Sequence, residues 1–171
     1  MGPFQSGLVP LTPSTTYYVR AYATNAIGTG YGAEVTFTTP DGLPDVTTAP
    51  VTNIRGGDAQ GGGEVLSDGG YLIDQAGICW NTTGTPTTAD TCTTDSWAVG
   101  PFQSALYPLT PSTTYYVRAY AANIIGTGYG AEATFTTPDG LPVVTTAPVT
   151  NIRGADAEGG GEILSDAGYL I

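Results

Sequence analysis

The groups in this chain that could do chemistry are few. Fifteen carboxylates, eleven tyrosines, four arginines and two cysteines stand among 171 residues, with no histidine and no lysine. A histidine base, a histidine triad, a histidine metal site and a Schiff-base lysine are therefore absent. Cys79 and Cys92 without histidine do not close a tetrahedral zinc shell. A glycosidase needs two carboxylates facing each other across a cleft, and nothing here puts two together; most lie in turn-like stretches, such as Asp68 and Asp166. No cofactor and no enzymatic activity are expected. One metal reading has a motive. Asp41 and Asp45 flank one Pro/Gly-rich junction and Asp139 a second, where calcium on hard oxygen ligands would stiffen a rod. No D-x-D-x-D-G loop accompanies them, and Asp45 is replaced by Val143 at the second junction. Turn capping and a solvated acidic surface is the preferred reading. A net charge of −11 repels phosphate backbones and anionic lipid, so neither nucleic acid nor a membrane surface is an expected partner. No apolar run approaches the ~20 residues of a membrane-spanning helix. The 40% hydrophobic and 11% charged composition argues against disorder.

What positions these groups is a repeat. Residues 2–73 recur as 100–171 without a gap, and 62 of the 72 aligned positions are identical. The offset of 98 is the size of one small domain rather than of a solenoid unit. Punctuation lies at TTPDGLPD (38–45) and TTPDGLPV (136–143), where two prolines and a glycine stop strands. The expected organisation is the second part of a unit over 1–40, a linker at 41–45, one whole unit over 46–137, a linker at 138–143 and the first part of a unit over 144–171.

Thr, Val, Tyr and Ile dominate the extended runs, as pleated surfaces prefer, and turn clusters come every 8–14 residues. Strands are predicted near 47–54, 58–66, 71–81, 88–94, 98–106, 113–124 and 129–137. Seven short antiparallel strands fit a two-sheet sandwich of immunoglobulin type. In the last long strand, alternation puts Tyr115, Val117, Ala119 and Ala121 on the core face and Tyr116, Arg118 and Tyr120 on the other. Phe102, Ser104, Leu106, Ala133, Phe135, Val65 and Ile54 complete the predicted core. The run Gly61-Gly62-Gly63 reads either as a bulge or close sheet approach or as tolerated glycines. Leu109, Pro111 and Tyr115 have the spacing of a tyrosine corner, in which a buried tyrosine hydroxyl bonds back to the turn before its strand.

At these residues the sequence resembles the fibronectin type III superfamily, and looks most like the Thr- and Gly-rich variant in long secreted proteins of Bacteroidetes-type bacteria. The matching pieces are VTTAPVTNI, GGEVLSDGG, GICW and L-x-P-x-T-x-Y-Y-V-R-A-Y-A-x-N-x-x-G. The resemblance implies an all-β, immunoglobulin-like antiparallel sandwich, one whole and two partial. It also implies that Cys79 lies on the third strand and Cys92 on the next. A disulfide between them is the favoured reading, since the composition reads extracellular; two separate thiols, with Cys79 a small buried apolar residue, is the other. Asn81-Thr82-Thr83 is a glycosylation sequon that matters only in a eukaryotic secretory pathway.

Two functions compete. A whole unit between two part-units reads as a segment of an extracellular or cell-surface structural protein, its repeats stacked end to end. The part-units would be completed by neighbouring repeats or by copies of the chain, head to tail, through strand complementation. In that pairing the N-terminal piece supplies the last three strands and the C-terminal piece the first two, ending at the start of a third. The composite lacks the equivalent of residues 74–98. The alternative is an accessory module binding polysaccharide or protein through the outward Tyr116, Arg118 and Tyr120, with Tyr18 and Tyr22; cross-strand pairing would explain the same residues. No basic, apolar leader opens the chain.

Overall fold

In the computed structural model, residues 2–167 are described, and among them every regular element is a β-strand. A first group comprises β1 (Thr16–Val19), β2 (Tyr22–Thr24), β3 (Thr29–Tyr31) and β4 (Val35–Thr38). The central group comprises β5 (Asp45–Thr48), β6 (Ala59–Ser67), β7 (Ile73–Asn81), β8 (Thr91–Cys92), β9 (Gly100–Leu106), β10 (Thr114–Asn123), β11 (Thr127–Tyr129) and β12 (Ala133–Thr136). A last pair follows, β13 (Val143–Thr150) and β14 (Glu158–Ser165). The predicted start of a further strand at 169–171 lies outside the described residues.

The central group is a sandwich of two antiparallel sheets. One has the order β5-β6-β9, the other β11-β10-β7-β8, with β12 also paired to β10. This is an immunoglobulin-like sandwich, three strands facing five. The core between the sheets forms two clusters. Ile78, Trp80, Leu106, Leu109, Tyr115, Val117 and Phe135 make one. Val46, Val65, Ile73, Phe102, Ala119 and Ala121 make the other. Ile54 and Ala133 pack against the first cluster but are only partly buried.

The glycine run is a close sheet approach. A Cβ on Gly61 would stand 2.9 Å from Ile78 Cδ1, and one on Gly63 would stand 2.6 Å from Ala119 Cβ, both on the facing sheet. Any side chain there would wedge the layers apart.

Three strands differ from the sequence prediction, each for a local reason. The predicted 47–54 strand is regular only over Asp45–Thr48; Ala49 N–H still reaches the Gly62 carbonyl, Pro50 has no N–H to give, and a single bridge resumes at Thr52 and Gln60. The predicted 88–94 strand is reduced to two residues by a turn in which the Asp90 carboxylate accepts the Thr87 N–H. The predicted 129–137 strand is split, since Gly130 N–H pairs with Ala119 O while Arg118 Nε takes the Gly130 carbonyl.

On either side lie hairpins. β1 pairs with β4 and β2 with β3; β13 pairs with β14. Residues 2–8 form no strand, although their repeat 100–106 is β9. The expectation of three strands in the N-terminal piece is thus corrected to two hairpins. β9 gains its hydrogen bonds from β6, with Ala59 opposite Leu106 and Gly63 opposite Phe102, and β1–β4 have no such neighbour.

Candidate functional site

Cys79 and Cys92 are register partners on β7 and β8, joined by a disulfide with Cα atoms 4.1 Å apart. Cys79 is fully buried. The bond closes the stretch that occurs only once in the chain onto the edge of the five-stranded sheet. Beyond it, Thr93–Ser96 fold back over β7: Thr93 N–H pairs with Ile78 O, and Ser96 bridges Ala76. Gly77 permits this crossing, because a Cβ there would meet the Thr93 carbonyl at 2.2 Å. Asp95 accepts hydrogen bonds from the hydroxyls of Thr93 and Ser104, each at 2.5 Å. That explains why a serine points into the core at 104. The Ser104 hydroxyl donates to this carboxylate inside the sandwich, where Ser104 is buried.

The predicted tyrosine face is broken up by this stretch. Tyr120 is only 2% exposed, and its hydroxyl donates to the Thr93 carbonyl at 2.8 Å. Its register partner is Gly77, so the ring occupies the side left bare by the glycine, beneath the returning strand. Strict alternation put Tyr120 outside; both sides of β10 are covered at that point, and Ala119, Tyr120 and Ala121 are all buried. Tyr116 and Arg118 are half-buried. Arg118 lies 4.5 Å over the Tyr129 ring. Tyr18 and Tyr22 are exposed on the N-terminal hairpins. No flat aromatic platform joins the five residues.

Tyr115 is buried, and its hydroxyl accepts the Thr110 N–H at 2.9 Å; Leu109 is buried beside it and the Pro111 carbonyl holds Thr113 Oγ1. Tyr17 and Thr12 repeat the bond at 2.8 Å, and Thr12, through its side chain and its backbone, holds the Tyr17 phenol below its ordinary range. The carboxylates at the junctions act as turn caps. Asp41 accepts the Leu43 N–H and Asp139 the Leu141 N–H, both at 3.0 Å. Asp45 is exposed. Among the described residues no three metal-ligating side chains cluster.

One arrangement was not read from the sequence. The junction 41–45 is seated in a cradle made by the sandwich that follows it. Asn123, at the end of β10, is buried and fully bonded. Its Nδ2 donates to the carbonyls of Gly42 (2.7 Å) and Asp68 (2.9 Å), and its Oδ1 accepts from Ile125 and Gly126 N–H. Gly128 lets Pro44 pass: a Cβ there would stand 1.9 Å from the Pro44 carbonyl. Thr48 Oγ1 then takes the Ala119 N–H. The available signal was A-x-N-x-x-G-x-G-x-G (121–130), an asparagine before spaced glycines, but its meaning depends on what lies against it.

The flanks expose what the sandwich buries. Phe4 is 68% exposed and its repeat Phe102 8%; Val144 is 63% exposed and its repeat Val46 6%.

No family profile and no curated protein matches the chain. Solved structures do resemble it. The FN1–FN3 domains of chicken CNTN1 are 17% identical at TM-score 0.47, covering 75% of this chain and 44% of that one. Domains A168–A170 of titin are 21% identical at TM-score 0.42, covering 73% and 41%. The third fibronectin III domain of human KIAA0343 protein is 17% identical at TM-score 0.38, covering 58% and 86%.

Proposed function

We propose that this chain is a structural segment of an extracellular or cell-surface protein made of tandem immunoglobulin-like domains in series. The proposed units are those read from the repeat: the part-unit 1–40, the whole unit 46–137 and the part-unit 144–171. The observation that carries the reading is the pairing of near-identical sequence with opposite burial. Phe4 and Val144 lie bare where Phe102 and Val46 are covered, so both flanks have the side chains of a sandwich half and lack the facing half. The disulfide and the absence of lysine and histidine support an oxidising, non-catalytic setting. The burial of Tyr120 weakens the binding-module alternative, because it removes the central ring of the aromatic face.

A polysaccharide and glycan binding panel tests this. The expected result is no saturable binding, with Tyr18→Ala, Tyr22→Ala and Tyr116→Ala behaving as the parent. Saturable binding abolished by Tyr116→Ala would replace the structural reading with the accessory-module one.

A further inference from the structure

Between the N-terminal hairpins and the sandwich, the chain is tied down on both sides of a single residue. The Pro40 carbonyl accepts the Ser14 N–H at 2.8 Å, and Thr39 Oγ1 donates to the Thr12 carbonyl at 2.6 Å, so Pro40 moves with the hairpins. The Gly42 carbonyl accepts Asn123 Nδ2 at 2.7 Å, so Gly42 moves with the sandwich. Asp41 lies between, and its carboxylate spans the gap by accepting the Leu43 N–H at 3.0 Å. Pro40 and Pro44 have fixed φ, and each restrains the residue before it. A Pro/Gly-rich stretch that could have been a loose tether keeps few free torsions.

Side chains from both bodies meet at Gly42. A Cβ there, on a backbone with φ of +80°, would stand 3.1 Å from Tyr71 Cε2, 3.2 Å from Pro13 Cγ and 3.4 Å from Ile125 Cγ1. Pro13 comes from the hairpin side, Tyr71 and Ile125 from the sandwich. The turn at 67–71 closes the contact: a Cβ on Gly69 would stand 2.3 Å from the Gly42 carbonyl oxygen. Asn123 Nδ2 holds this turn as well, at the Asp68 carbonyl.

We infer that the contact of Pro13 with Gly42, Tyr71 and Ile125 is a rigid joint, which holds successive units of the chain at one mutual angle. Relative motion is the ordinary behaviour of domains that share a small interface. Here it is restrained because only Asp41 separates the anchor on one body from the anchor on the other. The inference rests on the tandem reading above and adds what the joint does for the series, which is to make it a stiff rod.

The repeat supplies a test substitution. At the place of Gly69 it carries Ala167, with φ of 53° against 68°. Ser165 Oγ accepts the Ala167 N–H at 3.1 Å, as Ser67 Oγ accepts that of Gly69. The turn itself therefore tolerates alanine, and Gly69→Ala changes what the turn presses on, the Gly42 carbonyl.

Residual dipolar couplings of backbone N–H groups in the 171-residue chain test the joint. In the parent, couplings from β1 and β4 and from β6, β7, β9 and β10 are expected to fit one alignment tensor of one magnitude. Gly69→Ala and Tyr71→Ala are each expected to reduce the alignment of the hairpins by about half or more relative to the sandwich, with the sandwich couplings still fitting its own fold. Leu72→Ala, at an exposed side chain next to Tyr71, is the control and keeps one tensor. Two tensors in the parent, hairpin couplings averaged to zero there, or one tensor kept by either joint variant overturns the inference. Such a failure leaves the glycan panel untouched, because units on a loose tether would still be a tandem structural segment.

Discussion

Residues 12–39 and 110–137 differ at only three positions, and much of their local structure is shared. Both have the Thr–Tyr bond across the corner, stacked Tyr17–Phe37 and Tyr115–Phe135 rings, a Thr16–Thr38 or Thr114–Thr136 hydroxyl pair, and an arginine over a tyrosine. They part company wherever a bond must come from far along the chain. The β10 region gains β7 on its open side and a covering sheet on its face; β1 and β2 gain neither. Tyr22 stays 66% exposed where Tyr120 is nearly sealed, and residues 2–8 stay out of a strand where 100–106 form β9. Hairpin contacts are encoded within about thirty residues, while strand identity and burial at the edges are supplied by the partner.

That contrast can be broken or sharpened by matched substitutions, each made once in the sandwich and once in its repeat. Phe102→Ala should destabilise the sandwich by about 3–5 kcal/mol, and Phe4→Ala should move it by less than about 0.5 kcal/mol; urea unfolding followed by tyrosine and tryptophan fluorescence reads both. Removing the disulfide with Cys79→Ala and Cys92→Ala should cost about 3 kcal/mol, the loop-closure figure for a short loop. Hydrogen exchange should show the loosening at Thr91–Ser96 and leave the β1–β4 hairpin as it was.

Gly128→Ala sets a methyl against the Pro44 carbonyl and should cost about 1–3 kcal/mol. Gly30→Ala should be silent in dilute solution; a loss there equal to that of Gly128→Ala would mean that the two hairpins are not differently covered. Tyr120→Phe leaves the Thr93 carbonyl without its donor and should cost about 1–1.5 kcal/mol, against no measurable change for Tyr22→Phe.

The smallest effect is one of pH. The Asp90 carboxyl is held below its ordinary range, first by the Thr87 N–H and then by the Asn81 amide. A carboxyl depressed on folding contributes stability above its unfolded pKa and loses it as pH falls through the folded value. The Thr87–Asp90 turn should therefore loosen only in acid, below the ordinary carboxylate range. Asp90→Asn should flatten that dependence in the thermal midpoint, and the N-terminal hairpins, which have no such turn, should not register it.

The alternation of β10 made the core face legible: Tyr115, Val117, Ala119 and Ala121 are buried. So did the inward Phe102, Ser104 and Leu106. Tyr120 was misread because period-two reasoning sees one strand at a time, and the cover over Tyr120 comes from Thr93 and Thr94, 26 residues or more away. Gly77 was the residue that could have signalled it, a glycine inside a strand marking close backbone approach. The cradle at Asn123 was illegible for a similar reason. An asparagine before spaced glycines suggests a turn, and only the seated Gly42 and Pro44 turn that motif into a grip. The break at Asp90 was readable in principle, since an aspartate that caps a turn ends a strand; the one at Pro50 was not, since its repeat Pro148 stays inside β13.

The seated junction also bears on how such a chain would carry tension. Gly42 and Pro44 are held by one hydrogen bond from Asn123, on the Gly42 carbonyl, and by shape, whereas the strands behind them share long hydrogen-bonded ladders. A pull along the chain would peel the junction out first. Five residues at about 3.3–3.6 Å each reach roughly 17 Å when fully extended, so the length paid out before any sandwich opened would be that less the span the seated junction already covers. The Asn123 grip would work as a recoiling shock absorber, reseating whenever the load dropped.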